Sequence, residues 1–187
     1  MQIYLTDPTP ARKQEFLDMI QEFIDANETH FIYEEVLMNE GFESYLAWLQ
    51  RGREGQIEGF CPWSAFWAID RQTNRLLGVC SVRHKLSSWM TEYGGHIGYR
   101  VRPSERRKGY GTSILDLAIQ QAKQFTPDQI LVVCESDNLG SIGVIKNNGG
   151  VFNRQVSNKG TILNRYWLHN YIISLINYCI RPCAKLL

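Results

Sequence analysis

The 187-residue chain lacks several features that define whole classes of proteins. No uncharged apolar run is long enough to cross a bilayer, and the first residues lack the basic head and apolar segment of an export signal. The five cysteines are odd in number and lack the paired spacing of a zinc site, so we predict free thiols and no metal site. These absences favour a cytoplasmic protein without a membrane span.

The net charge of +1 hides an uneven distribution along the chain. Residues 1–70 carry 13 acidic and 4 basic side chains, a balance of −9, and residues 71–187 carry 6 acidic and 16 basic, a balance of +10. A basic half suits a phosphate-rich ligand, and an acidic half would attract a cationic amine. Charged helix faces exposed to solvent explain the same distribution, and we prefer this explanation to attraction of a substrate. We predict no nucleic-acid partner, because no nucleic-acid module or aromatic stacking pattern accompanies the 16 cations.

Apolar spacing predicts a mixed order of strands and helices in one domain, residues 1–170. Strands are predicted at 2–5, 64–69, 76–83, 96–101, 130–134, 151–156 and 162–168. Helices are predicted from the cap at Thr9 to about Ala26, within 28–53, over 114–122 and over 138–148. This order predicts an α/β fold with a central sheet.

Residues 171–187 form an apolar tail that is too short, and too cationic at Arg181 and Lys185, to span a bilayer. We predict a helix packed on its own sheet or on a second subunit, which would make a homodimer. Attachment to a membrane surface is the alternative.

The segment after the strand 96–101 combines glycines with cations and opens a helix. Glycines let the backbone approach a ligand, and the first helical turn presents unpaired N–H groups with partial positive charge. No Gly-Lys-Ser/Thr sequence closes this loop, which excludes a Walker-type site. We predict a pyrophosphate site formed by Arg106, Arg107, Lys108, Gly109, Tyr110, Gly111 and Thr112.

Two motifs together resemble the GNAT superfamily of N-acetyltransferases. The pattern Arg106-x-x-Gly109-x-Gly111, after a strand ending at Val101, resembles the acetyl-coenzyme A site, and 138–150 resembles the later helix with its glycine exit. The resemblance covers roughly residues 64–168. The strand Gly-Gly-His-Ile-Gly-Tyr also resembles the corresponding strand of one branch of the superfamily. This similarity does not indicate a substrate. The resemblance implies a GNAT-like fold, with a central mixed, mostly antiparallel sheet flanked by helices, and acetyl-CoA as co-substrate.

The resemblance also implies roles for individual residues. The strand ending at Val101 should part from the strand 130–134, which leaves backbone groups for the pantetheine arm and makes the Val101 N–H the candidate oxyanion donor. On the later helix, Asn138, Ser141, Ile142 and Ile145 share one face, which should look at the cofactor. Asn138 would bind the pantetheine amides.

The groups that move protons are less well defined. Many family members carry a tyrosine acid where this chain has Ile145, so Tyr99, Ser141, Cys134 or a water would substitute. His96 and His84 are candidate bases, because an unperturbed histidine titrates near pH ~6.5. Hydrogen bonding within the fold is the more frequent duty of a strand histidine.

These observations predict an N-acetyltransferase that moves an acetyl group from acetyl-CoA to a primary amine of a small cationic molecule, a peptide or a protein. Direct transfer within a ternary complex is expected by resemblance. The alternative, motivated by Ile145, is a non-catalytic acyl-CoA-binding sensor or regulatory module.

Overall fold

The structure, a computed structural model, describes residues 2–28, 34–126 and 128–169. The predicted C-terminal tail, residues 171–187, lies outside the described residues. Within the described ranges, no helix is both long and apolar enough to cross a membrane.

Strands and helices follow one another in a mixed order, as predicted. The strands are β1 (Ile3–Thr6), β2 (Trp63–Asp70), β3 (Leu76–Arg83), β4 (Ile97–Val101), β5 (Gln129–Glu135), β6 (Val151–Asn158) and β7 (Thr161–His169). The α-helices are α1 (Lys13–Asp25), α2 (Glu34–Glu40), α3 (Phe42–Arg53), α4 (Ser88–Tyr93), α5 (Tyr110–Ala122) and α6 (Leu139–Asn147). Short 3₁₀ turns at Pro10–Arg12 and Pro103–Glu105 precede α1 and α5.

The strands form two antiparallel sheets. The first has the order β1-β2-β3-β4 and the second the order β5-β7-β6. The strands β4 and β5 therefore lie at the facing edges of the two sheets. This arrangement, with helices on the sheet faces, confirms the predicted α/β fold.

Alternation along β2 places apolar side chains on both faces of the first sheet. Trp67 and Ile69 pack with α1, α2 and α3, and the Trp67 ring stacks on Phe16 of α1 with centroids 4.9 Å apart. Ala68 joins the core that α5 and α6 share with both sheets. Burial on both faces fixes β3 and β4 between layers, and thereby fixes the edge that β4 presents to β5.

The sequence pattern predicted no element between the strands 76–83 and 96–101, and it therefore missed the helix α4. Its start has a local cause: Ser87 is the N-cap, and its hydroxyl accepts a hydrogen bond from the Met90 N–H at 3.2 Å. The serine that caps the helix was visible in the sequence. The short stretch that follows it has few strong helix formers, so the pattern did not predict a helix.

Candidate functional site

The site is organised around a fork between β4 and β5. The two strands approach each other where an isolated bridge joins Gly95, just before β4, to Val132 in the middle of β5. Beyond this point they belong to different sheets and do not continue as one ladder. The predicted parting of the strand ending at Val101 from the strand 130–134 is therefore present in the structure.

His96 and Gly95 close the fork. The His96 N–H donates to the Leu131 carbonyl at 2.7 Å, and the Leu131 N–H donates to His96 Nδ1 at 2.9 Å. Gly95 has φ +69°, and a Cβ there would lie 2.7 Å from the Leu131 carbonyl oxygen. Only glycine permits this approach of the two backbones without displacement.

Two features of His96 follow from this position. Burial, together with the nearby Arg83 charge, lowers the pKa of His96 below its usual value. Because Nδ1 accepts the Leu131 N–H, the neutral ring carries its proton on Nε2. The geometry makes His96 a tie between the strands and does not support its predicted role as a base.

The backbone of β4 directs donors into the fork. The Arg102 N–H donates to the Leu77 carbonyl, and the Arg83 N–H donates to the His96 carbonyl, both at 2.8 Å. Hydrogen-bonded pairs alternate along an antiparallel ladder, so the N–H groups of Tyr99 and Val101 face away from β3, toward β5. The predicted oxyanion donor, the Val101 N–H, is therefore on the correct edge of the strand. The Tyr99 N–H is a second donor on that edge, which sequence reasoning missed.

The predicted pyrophosphate loop begins α5. Gly109 is its N-cap and adopts the left-handed conformation, with φ +83°. No side chain caps the helix here, and its first turn contains no acidic residue. Gly111 is buried, and a Cβ there would lie 3.0 Å from Val144 Cγ2. The first turn of α5 is therefore an uncapped helix N-terminus, which is what an anion site requires. The contact at Gly111 holds this turn close to α6.

The cations of this loop differ in their contacts. Arg106 forms a two-point ion pair with Glu28, with N–O distances of 2.6 and 2.7 Å, and Lys108 pairs with Glu105 at 2.9 Å. The Glu28 pKa is lowered chiefly by its hydrogen bond to Arg106. Arg107 is exposed. Two of the three predicted phosphate cations are thus engaged with carboxylates.

Tyr110 and Thr112 join the loop to the rest of the fold. The Tyr110 hydroxyl donates to Asp70 at 3.2 Å, which attaches the start of α5 to the end of β2. The Thr112 carbonyl accepts a hydrogen bond from Asn148 Nδ2 at 3.1 Å. These bonds hold the loop from both sides. Sequence reasoning missed the hydrogen bond of Asn148 because its partner is distant in sequence.

Across the fork, Tyr99, Ser141 and Cys134 form one hydrogen-bonded cluster. The Tyr99 and Ser141 hydroxyls bond each other at 2.8 Å, and the Ser141 side chain also bonds the Cys134 thiol. Burial raises the pKa of Tyr99 to about 12 and also raises the pKa of Cys134. The three candidate substitutes for the missing tyrosine acid are thus in mutual contact.

The later helix is capped at both ends by asparagine. Asn138 is the N-cap of α6, and its Oδ1 accepts the Ser141 N–H at 2.9 Å. Its carboxamide nitrogen is the group available for the predicted contact with pantetheine amides. Ile145 is fully buried and belongs to the core between the sheets and α5. The residues predicted to face the cofactor together therefore differ in their surroundings, since Ser141 lies at the fork and Ile145 lies in the core.

His84 is placed apart from this cluster. Its Nε2 lies 2.9 Å from Ser64 Oγ, and its ring stacks on Phe125 with centroids 3.7 Å apart. Its pKa is lowered, mainly by burial and further by the Arg53 charge. These contacts join β2, β3 and the end of α5, and none of their partners belongs to the fork or the phosphate loop.

The acidic helix α1 also supports the site, through a contact that sequence reasoning missed. Glu22 accepts hydrogen bonds from Arg102 Nε at 2.7 Å and from the Ser104 N–H at 3.0 Å. Together with the Glu28–Arg106 pair, this contact anchors the segment between β4 and α5. Charges from the acidic half of the chain therefore neutralise charges of the basic half at this point.

Comparison with known proteins identifies the family. The family model described as the acetyltransferase (GNAT) domain matches residues 5–151. No match was found among curated proteins.

Solved structures share the fold at low sequence identity. The microcin C7 self-immunity acetyltransferase, in complex with acetyl-CoA and AMP, is 16% identical over 90% of this chain and 92% of that chain, with a TM-score of 0.66. The spermidine/spermine N-acetyltransferase of Vibrio cholerae is 13% identical over 95% and 99%, with a TM-score of 0.58. The acetyltransferase of Salmonella typhimurium that modifies the N-terminal serine of ribosomal protein L7/L12 is 12% identical over 90% and 95%, with a TM-score of 0.62.

These findings agree with the resemblance drawn from the two sequence motifs. The matched range contains β4, the phosphate loop, the fork and α6. It confirms the predicted enzyme class, an acetyltransferase dependent on acetyl-CoA. The chain belongs to the GNAT family of acetyltransferases.

Proposed function

We propose that the protein transfers an acetyl group from acetyl-CoA to a primary amine of a small cationic molecule, a peptide or a protein. The observation that carries this proposal is the fork between β4 and β5, with an uncapped helix N-terminus at its open end and donors along its edge. The amine class is supported by two proteins of similar structure, of which one acetylates spermidine and spermine and the other modifies the N-terminal serine of a ribosomal protein.

Acetyl-CoA supplies an activated thioester, and its pyrophosphate suits the first turn of α5. The N–H groups there have no side-chain cap, and no acidic residue lies in the first turn to repel an anion. Arg107 is exposed beside them. Arg106 and Lys108 contribute through their ion pairs with Glu28 and Glu105, which fix the loop.

Stabilisation of the oxyanion is assigned to the backbone of β4. The N–H groups of Val101 and Tyr99 face β5 and are held by a sheet that is buried on both faces. Donors fixed before the reaction do not have to reorient as charge develops, which is the main source of such catalysis.

For the departing thiolate we assign a hydrogen-bonding role to the Tyr99–Ser141–Cys134 cluster. A free thiol has a pKa near about 8.5, so its thiolate leaves readily and does not require a strong acid. The Ser141 hydroxyl can donate to the thiolate while its oxygen remains bonded to Tyr99. In this proposal Ser141, one turn before Ile145 on α6 and bonded to Tyr99 of β4, compensates for the absence of a tyrosine at Ile145.

Transfer needs a neutral amine, and His96 and His84 are the candidate bases from the sequence. His96 cannot accept a proton at Nδ1 without losing the Leu131 bond. His84 keeps its place as a candidate, with Nε2 near Ser64. A pH profile of kcat/KM for the His84→Gln variant tests this assignment.

The test is release of free thiol from acetyl-CoA in the presence of amines: polyamines, amino acids, arylalkylamines and peptides with a free N-terminus or lysine. Amine-dependent thiol release with formation of the N-acetyl product supports transfer. Binding of acetyl-CoA without amine-dependent release would overturn it and favour the sensor.

A further inference from the structure

Arg106 lies in the phosphate loop, and its side chain reaches the edge of the fork. Its Nε donates a hydrogen bond to the Val101 carbonyl at 3.3 Å. In an antiparallel ladder the N–H and the C=O of one residue point to the same side of the strand, so this carbonyl lies on the same edge of β4 as the Val101 N–H. Arg106 therefore contacts the residue whose N–H is the candidate oxyanion donor.

Glu28 holds the other end of the Arg106 guanidinium. The two carboxylate oxygens of Glu28 lie 2.6 and 2.7 Å from Nη1 and Nη2, a two-point geometry that fixes the plane of the guanidinium. The Nε donor is thereby engaged on Val101, and one donor of each Nη is engaged on Glu28. To bind a phosphate through these donors, Arg106 would have to release both partners.

The end of α1 fixes the position of Glu28. Asn27 adopts the left-handed conformation, with φ +56°. Its N–H donates to the Ile24 carbonyl, and the Glu28 N–H donates to the Phe23 carbonyl, both at 2.9 Å. This pair of bonds is the Schellman motif that ends many helices, and it holds the Glu28 backbone in place. The carbonyl end of α1 also carries partial negative charge, which favours a guanidinium beside it.

The ion pair rests on the buried ring of Phe23. The guanidinium carbons of Arg100 and Arg106 each lie 5.6 Å from the centroid of this ring, which is within the range of a cation–π contact. The Glu28 pKa is lowered chiefly by its hydrogen bond to Arg106 and further by the charges of Arg106 and Arg100. Glu28 is therefore ionised at neutral pH, and the pair joins the core of α1 to the open end of the fork.

We propose that Glu28 and Arg106 are positioning residues for the oxyanion donor: the pair fixes the Val101 backbone at the open end of the fork, and Arg106 is not a ligand of the pyrophosphate. The inference rests on the proposed acetyl transfer. It moves Arg106 from the binding of the cofactor to the geometry of transfer. The pyrophosphate is left to the N–H groups in the first turn of α5 and to Arg107.

The experiment compares the wild type with Glu28→Gln, Arg106→Lys and Glu43→Gln. Calorimetry gives the dissociation constant of acetyl-CoA, and thiol release with the amine that the panel identifies gives kcat. Glu43→Gln is the matched control, because Glu43 of α3 also pairs with a cation, Lys13 of α1, at 2.8 Å, but outside the fork.

We expect Glu28→Gln and Arg106→Lys each to lower kcat about tenfold and to change the dissociation constant less than about twofold. Loss of an oxyanion donor itself costs about 10²- to 10³-fold, and the loss here is smaller because Val101 keeps its N–H. Lysine keeps the charge but lacks the planar fork that bonds Val101 and both Glu28 oxygens together. Glu43→Gln should match the wild type in both quantities.

A phosphate role for Arg106 predicts a different result. Glu28→Gln would then release Arg106 toward the anion and tighten acetyl-CoA binding. Tighter binding by Glu28→Gln, or an unchanged kcat in Glu28→Gln and Arg106→Lys, would overturn the inference and leave the transferase proposal standing.

A second measurement separates this inference from the proposed function, because it does not depend on activity. The carbonyl carbon resonance of Val101, recorded by NMR for the protein without acetyl-CoA, reports the hydrogen bond from Arg106. Glu28→Gln should shift this resonance, and Glu43→Gln should not. Such a shift supports the tie between Glu28, Arg106 and Val101 even if no amine is acetylated, and an unchanged resonance in Glu28→Gln would overturn it.

Discussion

Replacing Tyr99 by phenylalanine tests how the protein replaces the family's tyrosine acid. The variant removes the hydroxyl that bonds Ser141 at 2.8 Å and leaves the ring in place. Burial raises the pKa of Tyr99 to about 12. A thiol has a pKa near about 8.5, so complete proton transfer from Tyr99 to the thiolate is uphill by about 3.5 units, or about 5 kcal/mol. Tyr99 is therefore suited to orienting Ser141 rather than to giving up its proton.

The expected loss follows from this role. A hydrogen bond between two neutral hydroxyls contributes about 0.5–1.5 kcal/mol, so Tyr99→Phe should lower kcat by about 2- to 12-fold with little change in acetyl-CoA affinity. The assay is thiol release under saturating substrates from about pH 6 to about pH 10. A basic limb caused by Tyr99 should not occur in this range. Ser141→Ala should cost at least as much.

The reasoning would be refuted by a loss near 10⁴-fold, the upper end for general acid catalysis, together with disappearance of a basic limb below about pH 10. Such a result would mean that Tyr99 titrates as the acid. The matched control is Tyr4→Phe, which removes a hydroxyl on β1, outside the fork and the phosphate loop, and keeps the ring over which Arg71 lies.

Three further predictions concern the frame of the site. Gly109→Asp should weaken acetyl-CoA binding, measured by calorimetry, at least about tenfold more than the uncharged isostere Gly109→Asn, because both residues tolerate a left-handed N-cap but only Asp repels phosphate. Gly95→Ala should lower the free energy of unfolding by about 1–3 kcal/mol in urea titrations, since its Cβ meets the Leu131 carbonyl, whereas Gly143→Ala, with open space around it, should not. The lowered pKa of His96 means that the unfolded chain binds the proton more tightly than the folded protein does. The contribution of His96 to stability is therefore full above pH ~6.5 and declines as the pH falls below this value. His96→Gln should flatten this decline in urea midpoints measured from about pH 5 to about pH 8.

The boundaries of α6 could be predicted closely because their signals are local. Asn138 caps the helix through its own side chain, and Gly149 leaves it with φ +80°. Both effects depend only on residues within one turn. The start of α1 was predicted at Thr9 for the same reason, although the first turn is 3₁₀.

The ion pairs around the phosphate loop could not be predicted from spacing. Arg106 and Glu28 are 78 residues apart, and the sequence pattern assigned Arg106 to phosphate. The acidic half of the chain was interpreted as solvated helix faces or as a surface that attracts amines. The structure shows a third use, since Glu22 and Glu28 neutralise Arg102 and Arg106.

The tie at the closed end of the fork was also beyond local reasoning. His96 was a candidate base because its pKa is ordinarily near neutrality. Its partner Leu131 follows it by 35 residues and comes beside it only when α5 folds between the two strands. The boundaries of the domain, the homodimer and the cytoplasmic location stay predictions.

The central claim is that the fork and the α5 loop bind acetyl-CoA for transfer to an amine. The most direct measurement is calorimetric titration of acetyl-CoA into the wild type and into Gly109→Asp, followed by thiol release in the same samples with the panel of polyamines, amino acids, arylalkylamines and peptides. The account predicts binding and amine-dependent release for the wild type, and loss of both in the variant. Absence of binding by the wild type, or equal binding by the variant, would contradict it.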